Sequence, residues 1–135
     1  MTTFNLDPEK IERWFEFDDG GRIQLKILSS DDWSEIEKQT KTKAIDYKRL
    51  DGKAERFEYE KFKPGGEQLQ FELFWDKAII NWENFLDAKG KNIPCTKENK
   101  ILLVKRSKKF IDKVNEFLKI LRVEEFERAE ESPKN

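Results

Sequence analysis

The chain has 135 residues, with 27 Lys or Arg against 28 Asp or Glu, so 41% of positions are charged while the formal net charge is −1. Hydrophobic residues make up only 36%, but 11 Phe, 4 Trp and 2 Tyr concentrate that share in large side chains. This balance supports one domain with a modest aromatic core and argues against a large interior with a deep pocket. No run approaches the roughly 20 apolar residues of a membrane span, and the opening MTTFNLDPEK lacks the basic and apolar regions of a signal peptide. The expectation is a soluble, cytoplasmic protein. Histidine is absent, which removes Ser-His and Cys-His nucleophile pairs and imidazole metal ligands, so a non-enzymatic role without cofactor or metal is expected. Cys95 is the only thiol, leaving no intramolecular disulfide and no cysteine-based zinc site.

Taken in chain order, Trp14 and Phe17 precede Asp18-Asp19-Gly20-Gly21, after which Ile23, Leu25 and Ile27 recur with period two. This predicts a β-hairpin turning at the glycines. Ser29-Ser30-Asp31-Asp32 supplies N-cap residues, with Glu35 three positions after Asp32, and predicts a helix from about Asp32 to Ala44 carrying Trp33, Ile36 and Ala44 on one side. A second hairpin follows, with Ile45 and Tyr47 before Asp51-Gly52 and Phe57 and Tyr59 after it; Asp-Gly suits the positive φ angles of a type I′ turn. Phe62, Pro64, Gly65 and Gly66 close it, and strand content is expected to end there.

From Leu69 to Leu86 the chain becomes rich in Leu, Ile, Phe and Trp, with no Gly or Pro to interrupt a helix. A helix over this span is apolar on nearly all sides, and Trp75, Ile79 and Trp82 recur at i, i+4 and i+7. One such stripe, with Phe71 beside it, is expected to stay open as a protein-binding face. Residues 87–94 form a turn-rich loop. Thr96 caps a short helix containing Ile101 to Val104, and Ser107 caps a last one in which Phe110, Ile111, Val114, Phe117, Leu118 and Leu121 form a buried face. Residues 124–135 are polar and acidic and are expected to fray or be disordered. The predicted fold is α+β: N-terminal antiparallel hairpins with one helix, then a helical C-terminal half of three helices packed on the sheet, all in one domain over 1–123.

The motifs for chemistry are thin. Gly20-Gly21 and Gly65-Gly66 lack the further residues of phosphate-binding loops and read as turns. Asp18-Asp19 and Asp31-Asp32 lack the alternating ligands of a calcium loop. Cys95 sits just before a helix start, where a thiol could be activated, but without His a structural role is expected. Lys97, Lys100, Lys105, Arg106, Lys108, Lys109 and Lys113, against Glu98 and Asp112, form a basic stretch that could meet phosphates. These side chains fall on the polar faces of amphipathic helices, and the acidic tail can neutralise them.

Three stretches in this order resemble the small tail assembly chaperones encoded by tailed phages and prophages. They are Trp14-Phe15 leading through a Gly turn to Arg22-Ile23-Gln24-Leu25-Lys26; Trp75-Asp76-Lys77-Ala78-Ile79-Ile80-Asn81-Trp82-Glu83; and Gly90-Lys91-Asn92-Ile93-Pro94-Cys95-Thr96-Lys97-Glu98-Asn99-Lys100. Asn84-Phe85-Leu86 departs from the smaller, more polar turn of that pattern. The resemblance implies a bacterial-host cytoplasmic protein that binds the tape measure protein, and tail tube subunits as further partners, keeping helical segments soluble while the tail polymerises. A homo-oligomer is compatible with it. The alternatives are a small structural tail component or connector and, less favoured, a nucleic-acid-binding module.

Overall fold

The computed structural model describes residues 12–130, with backbone alone at 128–130; the opening MTTFNLDPEK and residues 131–135 lie outside the described residues. The fold is α+β. The described residues divide into two compact units, the first formed by residues 12–28 and 75–130 and the second by residues 29–74.

The first unit is built on a three-stranded antiparallel sheet of order β1-β2-β5: β1 (Glu12–Glu16), β2 (Arg22–Lys26) and β5 (Ile79–Glu83). The turn predicted at the glycines joins β1 to β2, with Gly20 at φ +95° and Phe17 N–H donating to the Gly21 carbonyl at 2.7 Å. Register explains how the side chains sort. Phe15, Ile23 and Trp82 stand in one cross-strand row and are buried, whereas Glu16, Arg22 and Glu83 stand in a neighbouring row, where Arg22 is 3.2 Å from Glu83. Alternation of the strands therefore puts one face in the core and the other in water.

The strand β5 overturns two expectations, the helix through Leu86 and the end of strands at residue 66. Ile79 and Ile80 are β-branched, and β2 lies at the centre of the sheet, so its second edge needs hydrogen-bond partners that a continued helix could not supply. The chain meets this by ending the preceding helix at Ala78 and pairing Leu25 with Ile79 and Ile23 with Trp82 across a bulge. Asn84, at φ +60°, then turns the chain out of the strand, a conformation Asn tolerates better than most residues.

Helices α3 (Lys97–Arg106) and α4 (Lys108–Glu130) complete this unit. Thr96 caps α3, accepting from Asn99 N–H, and Ser107 Oγ accepts from Phe110 N–H at the start of α4. Phe110, Val114, Phe117, Leu118 and Leu121 are buried as the periodicity predicts. Residues 124–130, expected to fray, continue α4, and Glu124 on this last stretch is paired with Arg13 of β1.

The second unit contains α1 (Ser30–Thr40), a two-stranded ribbon of β3 (Lys41–Leu50) and β4 (Lys53–Phe62), and the first part of α2 (Gly66–Ala78). Ser29, with Asp32 rather than Glu35, forms the capping box of α1. The helix stops at Thr40, not Ala44, because the long antiparallel pairing from Lys41↔Phe62 to Leu50↔Lys53 claims the backbone from residue 41 onward. Asp51 (φ 52°) and Gly52 (φ 76°) make the two-residue turn with the positive angles predicted.

Thr40 joins the ends of these elements. It is fully buried, its hydroxyl donates to the Ile36 carbonyl at 2.8 Å, and its own carbonyl accepts from Lys63 N–H at 2.9 Å. A Cβ on Gly66 would lie 2.3 Å from that carbonyl oxygen, so only glycine can begin α2 here. Gly66→Ala is expected to destabilise the protein by roughly 1–3 kcal/mol through forced displacement of the Thr40 backbone, read as a lower denaturant midpoint.

Candidate interaction surface

The segment expected to expose an aromatic helical stripe is instead the centre of the first unit. Trp75, Ile79 and Trp82 are all buried, and because residues 79–83 are extended they do not share a helical face. Trp82 stacks on Phe85 (centroids 5.0 Å apart) and meets Phe110 edge-on, while its indole Nε1–H donates to the Ile93 carbonyl at 2.6 Å. Phe71, on the part of α2 that belongs to the second unit, is half-buried and lines an open groove with Phe62, Pro64 and Gly66.

The stretch Ile93 to Lys100 closes around the same centre. Asn99 Nδ2 donates to the Pro94 carbonyl at 2.9 Å, and the buried Lys100 places its ammonium 3.0 Å from the Asp76 carbonyl and 3.1 Å from its carboxylate. Lys100 is therefore withdrawn from the basic stretch, and Lys113 lies 3.6 Å from Glu116 and over the Phe117 ring. Cys95 is half-buried in this segment. Burial pushes its thiol pKa up, outweighing the lowering influence of Lys100 and of the Trp82 backbone, which is the reverse of what a nucleophile needs.

Among the described residues no group of three or more Cys, Asp or Glu could hold a metal ion, and no helix is long and apolar enough to cross a membrane.

Five of the large apolar side chains that remain exposed among the described residues stand together on the β3–β4 ribbon, which sequence reading identified as a hairpin but not as a surface. Ile45, Tyr47, Leu50, Phe57 and Tyr59 are all exposed, Tyr47 by 64%. Register divides them: Ile45 and Tyr47 share one face with Glu58 and Arg56, and Leu50, Phe57 and Tyr59 share the other, where the Phe57 and Tyr59 rings lie 5.8 Å apart. A ribbon of two ten-residue strands is roughly 30 Å long, and a single layer cannot hide apolar groups placed on both of its faces. The two-residue turn at Asp51-Gly52 sets Tyr47 opposite Arg56 and Phe57 opposite Asp46, which is what puts the aromatics of the two strands on opposite faces.

No family model, curated protein or solved structure matches this chain.

Two measurements test these assignments. Trp82→Ala is expected to lower stability by roughly 3–5 kcal/mol, as for a core aromatic, in a chemical unfolding curve; a surface anchor would leave that curve unchanged. Alkylation of Cys95 is expected to be slower than that of free cysteine at pH 8 and to accelerate as the pH is raised above the ordinary thiol range, because the raised pKa keeps the thiolate scarce at the lower pH. Mass spectrometry of iodoacetamide labelling reads both.

Proposed function

We propose that this protein is a tail assembly chaperone of a tailed phage or prophage, acting in the bacterial host cytoplasm by holding aggregation-prone helical segments of a tape measure protein. The class rests on the resemblance of the three ordered stretches. The observation that carries the binding role is the β3–β4 ribbon, whose exposed Ile45, Tyr47, Leu50, Phe57 and Tyr59 alternate with Lys, Arg and Glu. Exposed aromatics bounded by charge suit reversible capture of apolar helices, since the rings supply contact area while the charges keep the complex in solution. The ribbon replaces the 75–82 segment as the client-binding surface, with Phe71 at the groove beside its foot.

Co-expression with the product of the neighbouring long, coiled-coil-rich gene is expected to raise that product's soluble fraction severalfold. Replacing Tyr47, Phe57 and Tyr59 together by Ser is expected to remove the effect while leaving the fluorescence-monitored unfolding of the Trp82 core in place. An unchanged soluble fraction with the wild-type chain would overturn the reading, and stoichiometric amounts of the chain in purified virions would favour a structural tail component instead.

A further inference from the structure

Helix α4 is apolar on two sides. Phe110, Val114, Phe117, Leu118 and Leu121 fill the core, yet Ile120, Val123 and Phe126 are 40%, 48% and 65% exposed. Their i, i+3, i+6 spacing gathers them into a strip roughly opposite the buried face, at 100° per residue. This second strip is confined to the last turns of the helix.

The charges around the strip identify what fits it. A two-fold axis placed at Val123 and perpendicular to the helix brings positions equidistant from 123 together in an antiparallel pair. Ile120 then faces Phe126 of a second copy and Lys119 faces Glu127, each relation occurring twice, and Val123 meets Val123 once, on the axis. Lys119 and Glu127 are both exposed. Over residues 119–127 the exposed apolar residues meet apolar ones and Lys119 meets Glu127, which is the self-complementarity that a two-fold interface requires. A parallel pairing would instead set Lys119 against Lys119 and Glu127 against Glu127.

We propose that the protein self-associates into an antiparallel dimer through the Ile120–Val123–Phe126 strip of α4. Three apolar side chains per copy form a contact below the standard interface size, so the dimer is expected to dissociate in the range of roughly 10–100 μM. The proposal does not depend on the chaperone reading.

Sedimentation equilibrium of the full chain is expected to show a reversible monomer–dimer transition. Lys119→Glu should weaken it about tenfold, and adding Glu127→Lys to that variant should restore it, because the reversed pair meets across the axis in the same way. In a Cys95→Ser background, a short bis-maleimide should link Val123→Cys to itself. It should link Ile120→Cys to Phe126→Cys in a mixture, but neither of these to itself. Exposed Leu102→Cys on α3 serves as the background control. A monomer up to about 1 mM would overturn the proposal. So would a dimer in which Val123→Cys links no faster than Leu102→Cys, or one whose affinity the charge swap fails to restore.

Discussion

The hydrogen bond from the Trp82 indole to the Ile93 carbonyl ties together two parts of the first unit that are 11 residues apart in the chain. Trp82 is on the strand that completes the sheet, and Ile93 is on the loop leading to the last two helices. Leaving a buried indole N–H without a partner costs about 1–3 kcal/mol, so the loop is held against the sheet by a polar constraint inside an otherwise apolar centre. Around it the rings are arranged without a void for a side chain at Gly21, where a Cβ would come within 2.9 Å of Phe85. Phe85 meets Phe17 and Phe110 edge-on, and Phe15 stacks on Phe117 with centroids 4.7 Å apart, so α4 is registered on the sheet by ring geometry as well as by area.

The local signals were legible in the sequence where local chemistry decides. Asp51-Gly52, the Thr96 and Ser107 caps, and the period of Phe110 to Leu121 each depend on residues within a turn or two, and each appears as expected. The span from Leu69 to Leu86 failed because two long-range demands divide it. Its first part is a helix, and its second is required as a strand by β2, which is distant in sequence. The i, i+4, i+7 spacing of Trp75, Ile79 and Trp82 was real in number but carried no face once Ile79 became extended. Ile79-Ile80 next to Trp82 was the available strand signal, and the absence of any Gly or Pro between the two halves concealed the boundary.

The same misassignment moved the candidate site. A sequence with few apolar residues was expected to expose those in its richest stretch, but the richest stretch is what the core consumed. The exposed aromatics are in a segment where charge is dense and apolar residues are sparse, so composition averaged over a window hides them. Only the register of β3 on β4 reveals that Tyr47 and Phe57 stand on opposite faces of a single layer.

The second unit interrupts the first between β2 and the middle of α2. The pairing of Leu25 with Ile79 consequently closes a loop that contains the whole of that unit. In folding, the entropy of this closure depends on how much of the intervening chain is already compact, and non-local strand pairing of this kind is slow. The α1 capping box and the β3–β4 turn, both formed from near neighbours, shorten the effective loop before β5 can find β2. The inserted unit thus acts on the rate at which the sheet closes.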